Sequence, residues 1–449
     1  MARRFKRVNY EQSRQQTVTI GECLPPKHLA YFIVDMIARL DLSSIYAQYA
    51  PVGGEPFAPE ILLGLLLYGY ATGVFSSRKI EKGTYETIPF RYIAGGLHPD
   101  HDTIANFRKT FLPQVTTVFV QVLVMAQEAG VLSLGNISLD GSKIHADASK
   151  SKAVSYEYLP QLEARLRAEV EELLRLADQA DLPVGLDIEA EINFRQDRLV
   201  NLAQAKTVLE ERAQARYETE QAEYEVKVRQ REQKAQESGH KPRGRAPQPP
   251  VSGARPRDQY NFTDPDSAIM KNSTNHGFDQ HYNAQAAVEQ ISLLIVAPSL
   301  SNHPVDTAEA IPTISTIPAA LGQPHAAAMD RNYFSPTTIK TLQAWGIEPY
   351  IATGREPHQH SWREFFAQTP EPPSAEASLI VQMAYKLQTD IGRAIYRLRK
   401  CTVEPVIGII KEVLGFRQFS LRGLTAAAGE WCLVCLAWNL KRLHVLLDH

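Results

Sequence analysis

Apolar residues recur at helical spacing from Pro26 to about Leu132; Leu29, Phe32, Ile33, Met36, Ile37 and Leu40 fall on one face. Pro59 suits the first turn of a second helix running to Tyr70. GVFSS breaks it, SRKIEK resumes, and PDHDTIANFRKTF opens a further helix at an Asp or Thr cap. The pattern predicts an all-α N-terminal domain over 1–132. Arg78, Lys79, Lys82, Arg108 and Lys109 follow turns there, as in a helix-turn-helix, and generic helical packing gives the same pattern.

The period then changes. Ile137 to Ala146 (ISLDGSKIHA) alternates like a strand, as do HYNAQAAV and ISLLIVAPS. Between them lies a charged helical stretch, Tyr158 to Arg231. Leu162, Leu166, Val170 and Leu173 form one seam, and Leu199, Leu202, Leu209, Ala213, Tyr217, Tyr224 and Val228 another. DLPVGLD separates the seams, which predicts an inserted antiparallel helical hairpin, and the Pro-rich basic stretch from Lys241 to Arg257 returns the chain to the sheet. Beyond Ser299 the order is helix (about 307–321), strand to Asp330, helix (335–345), strand EPYIAT, a linker, and helices from about Ser378 onward. The sum is α/β with a mixed sheet and flanking helices. The expected domains are 1–132, a core of 133–154 with 256–415, the insert 155–255, and C-terminal helices 416–449 packing on the core.

Composition changes this picture little. With 44% hydrophobic and 22% charged residues the chain reads as folded, and a net charge of -2 announces no polyanion partner globally. Local basic clusters remain: Arg3, Arg4, Lys6 and Arg7, the segment from Lys241, and the stretch from Lys386 to Arg422. Four cysteines without a hydrophobic leader signal predict a reducing cytoplasm; Cys432 and Cys435, in WCLVCLAW, read as helix core rather than a zinc pair. The apolar run Ile61 to Phe75 is shorter than the roughly 20 residues of a spanning helix, so no membrane partner is expected.

Three carboxylates stand out by position: Asp140 inside the first strand, Asp330 ending a later one, and Glu404 among Arg397, Arg399, Lys400 and Lys411. If those two strands are neighbours, both aspartates meet at one edge, and a packed helix brings in the glutamate. Carboxylates so gathered repel unless a hard cation neutralises them, which suits Mg²⁺ or Mn²⁺ and two-metal phosphodiester chemistry. Plainer roles compete: a turn for Asp140, a cap for Asp330, an ion pair with Lys400 for Glu404. Asp147, Asp264, Asp266 and Asp279 are rivals that read as caps and turns. Glu404 and Lys411 lie two helical turns apart, and Pro405 either begins a helix or kinks one.

These blocks together resemble a bacterial insertion-sequence transposase of the DDE class. ISLDGSKIHADASKSKAVSYEYL is similar to the family's first-aspartate strand, DPDSAIMKNSTNHGFDQHYNAQAAV to its next hairpin, and AAAMDRNYFSPTTIKTLQAWGIEPYIATGR to its second-aspartate block. Tyr396, Arg399, Glu404 and Lys411 match its tyrosine, arginine, glutamate and lysine signature; PFAPEILLGLLLYGYATGVFSSRKIEK and HPDHDTIANFRK match its N-terminal helical domain. In the widely studied branches the glutamate comes three residues after the arginine. Here four intervene and Lys400 holds the usual spacing, so either Arg399 or Lys400 takes that role.

The resemblance implies a ribonuclease-H-like core with Asp140, Asp330 and Glu404 as catalytic metal ligands. It also implies binding of double-stranded inverted-repeat ends and target DNA, Mg²⁺-dependent cleavage, 3′-end joining, and a homodimer or higher assembly in the cytoplasm at the nucleoid. Expected DNA contacts are Tyr396, Arg397, Arg399, Lys400, Lys411, Arg417, Arg78, Lys79 and Arg108. An inactive DNA-binding derivative and a helical scaffold are the competing functions.

Overall fold

The structure, a computed structural model, describes residues 19–50, 54–177, 187–240, 244–271, 277–354, 371–374 and 376–447. The basic N-terminus with Arg3, Arg4, Lys6 and Arg7, the break around Pro183 and Gly185, positions 241–243 of the basic segment, and 355–370 of the expected linker lie outside the described residues. The chain divides into two compact units, Met1–Ala146 with Tyr282–His449, and Asp147–His281.

In the first unit the helices are α1 (Leu29–Ile37), α2 (Ser43–Tyr46), α3 (Pro59–Ala71), α4 (Ser77–Glu86), α5 (Ile88–Ile93) and α6 (His101–Glu128). Pro59 occupies the first turn of α3, where a missing N–H costs nothing, and the Asp100 carboxylate caps α6 by accepting from the Thr103 N–H at 2.8 Å. Among the described residues α6 alone is long and apolar enough by composition to cross a membrane. Its apolar positions, Ile104, Phe107, Val118, Phe119, Val122 and Leu123, are instead buried within the protein.

The sheet of this unit contains β1 (Asn136–His145), most of β5 (Phe278–Glu289), β6 (Ile295–Ser301), β7 (Ala326–Met329) and β8 (Glu348–Ile351). The order is β6-β5-β1-β7-β8; β6 runs antiparallel to β5, while β1, β7 and β8 are mutually parallel. Every residue of AAAM in β7 is buried, as a parallel strand flanked on both edges requires. The long C-terminal helix, Leu424–Leu447, packs on β6, α3 and α6. Its Asn439 accepts from the Ile295 N–H at 2.8 Å and donates to the Ile295 carbonyl at 2.7 Å, satisfying buried backbone of β6. Cys432 and Cys435 are free and buried in this helix, where burial pushes the Cys432 thiol up to about 12. The helix expected over 307–321 shrinks to Ala310–Ile314 and a 3₁₀ turn, Ala319–Leu321. Pro318 accounts for the break, because it disfavours helical backbone in the residue before it.

The second unit holds two short antiparallel strands, β2 (Ala153–Ser155) and β3 (Gln259–Asn261), and β4 (Ala268–Lys271), which pairs with the first residues of β5. It also holds two helices, Leu159–Ala177 and Ile188–Ser238. Leu166, Leu202, Ala205 and Leu209 share a buried cluster with Val154, Leu159 and Tyr260, with Leu162 and Leu199 packed against it. Tyr156 donates to Glu210 at 2.8 Å, and farther along Arg195 donates to Glu169 at 2.8 Å. The charged runs outside this seam form exposed ion pairs one helical turn apart, such as Arg165 with Glu169 and Lys227 with Glu223.

Candidate active site

Two strand ends create the site. The parallel register of β1 with β7 pairs Ile137 with Ala327 and ends at Leu139 opposite Met329. One residue further along each chain come Asp140 and Asp330, side by side on strands about 4.8 Å apart. Asp140 remains inside β1, not at a turn. Asp330 leaves its strand and caps a 3₁₀ turn, Arg331–Tyr333, by accepting from the Asn332 N–H at 2.8 Å. The capping role weighed from the sequence is therefore present, and it coexists with placement beside Asp140.

The third carboxylate comes from a broken helical segment. A helix over Asp390–Leu398 passes into a 3₁₀ turn, Arg399–Cys401; Thr402 leaves helical geometry (φ -115°, ψ -85°); and a new helix starts at Val403. Pro405 falls in its first turn, where no helical N–H bond is lost, so a fresh start rather than a kink accommodates the proline.

This segment is tied to one face of β1. Thr402 Oγ1 lies 2.8 Å from both Ser138 Oγ and the Leu398 carbonyl. One proton serves one acceptor, so Thr402 donates to Leu398 and Ser138 donates to Thr402. Gln290 adds donations to Ser138 Oγ (3.0 Å) and the Ile395 carbonyl (3.1 Å). Two residues up the strand Arg399 meets Asp140, and two further Lys411 Nζ donates to Ser142 Oγ at 2.9 Å. Ser138, Asp140 and Ser142 share a face by strand alternation, so the segment reads β1 rung by rung. Lys411 stands in a π-helical turn, Ile409–Val413, a local widening that alters the phase a simple seven-residue spacing assumes.

Arg399 is the electrostatic centre. Its Nη1 lies 3.2 Å from Asp140 Oδ2 and its Nη2 2.9 Å from Glu404 Oε1, with the side chain 9% exposed. Glu404 thus pairs with Arg399, and Lys400 beside it in sequence is exposed. Burial drives the Asp140 carboxyl up to about 7; Arg399 and the Gly141 N–H pull it down, and the nearby Asp330 and Glu404 charges add to the rise. Asp330 is raised too, first by burial, with the Asp306 charge contributing. Burial lowers Lys411. Three carboxylates within electrostatic reach are an oxygen-only, anionic donor set suited to a hard divalent cation. Among the described residues, however, no three acidic, His or Cys side chains stand gathered as ready ligands; Asp140 and Glu404 face a guanidinium instead.

The remaining expected contacts scatter. The Arg399 guanidinium lies 5.8 Å from the Tyr396 ring centroid, beside it in the site. Arg397 and Arg417 are exposed nearby, Arg417 pairing with Glu412, and Arg78 and Lys79 are exposed on α4. Arg108 corrects the sequence-based expectation. It is buried, donating to the Tyr70 hydroxyl at 2.9 Å and the Phe75 carbonyl at 3.2 Å and lying 3.7 Å from Glu430, so it offers no surface to DNA. Asp266 pairs with Arg212 and Asp279 lies against Lys150, while Asp264 is buried in a turn whose carboxylate accepts from the Asp266 N–H.

Sequence reasoning missed a network on the opposite face of β1. Tyr333, fully buried, donates to Gln285, and Gln285 Nε2 donates to Asp306 Oδ1 at 2.9 Å and Asn283 Oδ1 at 3.1 Å. Asn283 also donates to Asp306 at 2.8 Å. A Cβ at Gly141 would stand 2.2 Å from Gln285 Nε2 and 2.8 Å from Asp306 Oδ1, so the glycine lets this network close against the strand. Polar Asn283 and Gln285 at alternate positions of the YNAQAAV run were a visible signal; Asp306, in a connecting loop, had none.

Two family models match the chain: a Transposase domain (DUF772) over residues 18–110 and a Transposase DDE domain over residues 374–444. They define the class of protein as a transposase. More particularly, the two matches together support an insertion-sequence transposase of the DDE class. The second match contains Arg399, Glu404 and Lys411; neither contains Asp140 or Asp330. No curated protein and no solved structure matches the chain.

Proposed function

We propose that this transposase binds the terminal inverted repeats of its element, cleaves the strands there and joins the 3′ ends to target DNA. The sheet order, with three parallel strands and an antiparallel pair at one side, supports a ribonuclease-H-like core, and the opposed contacts of the two long helices support an inserted antiparallel hairpin. One observation carries the reading: a single guanidinium spans Asp140 and Glu404 while the strand register sets Asp330 beside Asp140.

Asp140, Asp330 and Glu404 are the residues to hold Mg²⁺, or Mn²⁺ in its place. Such ions supply activation of water or a 3′-hydroxyl and neutralise the charge of the phosphodiester transition state. The chain's own residues do the positioning: Lys411 at Ser142 presents a cation at the strand edge, and exposed Arg397, Lys400 and Arg417 extend the positive margin for phosphates. On α4, Arg78 and Lys79 are the basic residues available to duplex DNA. Two copies acting on paired ends suit the reaction.

Incubating the protein with inverted-repeat duplexes and Mg²⁺ tests this. End-specific cleavage that disappears in Asp140→Asn, Asp330→Asn and Glu404→Gln, with binding retained, is the expected result. Binding without cleavage by the wild type would instead favour an inactive DNA-binding derivative.

A further inference from the structure

We propose that Arg399 guards the metal site: in the DNA-free protein its guanidinium stands between Asp140 and Glu404, and a DNA phosphate draws it away, so that divalent cation and DNA bind with positive coupling. This rests on the reading that the three carboxylates hold the cation.

The oxygens are the first ground. Asp140 Oδ1 accepts from the Gly141 N–H at 2.9 Å, which leaves Oδ2 as the oxygen facing the site, and Oδ2 is the atom that Arg399 Nη1 holds at 3.2 Å. The other end of the same planar fork holds Glu404 Oε1 at 2.9 Å. A divalent cation held by these acids would need the oxygens that the guanidinium now occupies. Without the guanidinium, half-buried Asp140 and exposed Glu404 would face each other across the gap; with it, the two share one counter-charge.

The second ground is that the guanidinium is incompletely satisfied where it sits. Arg399 Nε is buried with no hydrogen-bond partner, a standing cost that an exit would remove. A phosphate offers two oxygens matched to the guanidinium fork, and exposed Arg397 and Lys400 on either side of Arg399 draw a polyanion to that position. The carboxylates keep their places when the arginine leaves, since β1 fixes Asp140 and the helix starting at Val403 carries Glu404. Linkage then requires reciprocity: if DNA raises the affinity for metal, metal raises the affinity for DNA by the same factor.

Titrating the full-length chain with Mn²⁺, and following unbound Mn²⁺ by electron paramagnetic resonance, tests this without any turnover. Removing a unit charge about 4 Å from the cation site predicts that Arg399→Gln binds Mn²⁺ at least about tenfold tighter than wild type in the absence of DNA. Adding a short random-sequence duplex, with a duplex-only control subtracted, should tighten Mn²⁺ binding to wild type and do so less in Arg399→Gln. Arg399→Lys, which cannot fork across both carboxylates, should fall between them, and it carries the test if the glutamine variant melts early. Equal or weaker Mn²⁺ binding by the folded variants overturns the guard while leaving the metal site standing, provided Asp140→Asn abolishes that binding. If no variant retains Mn²⁺ with or without DNA, the metal site itself fails and the guard with it.

Discussion

Two buried arginines in the same compact unit invite comparison. Arg108 and Arg399 are each 9% exposed, each lies beside a tyrosine, each meets a carboxylate, and each leaves its Nε without a partner. They differ in the carboxylates they face. Glu430 is wholly buried, and its second oxygen accepts from the Ser420 and Leu421 N–H groups at 2.8 and 3.1 Å, while the first also accepts from Tyr70. Its acceptor capacity is spent inside the fold. Asp140 and Glu404 are 23% and 44% exposed, so both open toward solvent and the arginine is their principal cation. Residue type and burial of the arginine are the same; what separates a structural ion pair from a functional one is whether the acid has lone pairs and solvent access left for another partner.

The largest effect that would break this comparison is catalytic. Asp140→Asn or Glu404→Gln should lower end cleavage on the order of 10³-fold or more, as loss of a central catalytic group does, with melting temperature and end binding near wild type. Chelation of divalent cations should do the same reversibly. A variant cutting at near wild-type rate removes that residue from the site.

Stability should divide the two arginines the other way. Arg108→Met strands the buried Glu430 charge, which costs about 3–5 kcal/mol; Arg399→Gln leaves acids that water can reach and should cost far less. Denaturant titration of both proteins decides it. Equal losses would mean that the open and closed clusters are both structural.

Gly141→Ala probes the backbone between these extremes. Its Cβ would press on Gln285 and Asp306, and such overpacking costs about 1–3 kcal/mol. Because the displaced strand carries Asp140, cleavage should fall further than the stability loss explains. Activity measured well below the melting transition separates the two; unchanged activity would show that the network supports the fold alone.

The sequence carried the helical seams, the alternation of β1 and the position of all three acids, because periodicity and carboxylates flanked by apolar strand or basic residues are local signals. It carried neither the burial of Arg108 nor the choice between Arg399 and Lys400. A basic residue after a turn looks the same whether a distant Glu430 waits in the C-terminal helix or not, and the pairing of residues 259 positions apart, Asp140 with Arg399, is set by how a distant helical segment packs on β1. The network of Tyr333, Gln285 and Asp306 escaped for the same reason: its members come from a strand, a loop and a turn joined only in the fold.

The smallest effect concerns another buried acid, Glu309, one whose cation can be switched off. Glu309 is buried and lies 2.7 Å from His303 Nδ1, and this hydrogen bond raises the histidine above its ordinary value near 6.5. A raised folded-state value means that the native protein binds the proton more tightly than the unfolded chain. The stabilisation is therefore complete below about pH 6.5 and fades as pH rises through the folded value. Denaturation midpoints of wild type and His303→Gln should thus differ most at mildly acidic pH and converge above neutrality. A constant difference across that window would mean that the His303 charge adds nothing beyond its hydrogen bond, and that a buried acid in this protein is satisfied as well by a neutral partner as by a cation.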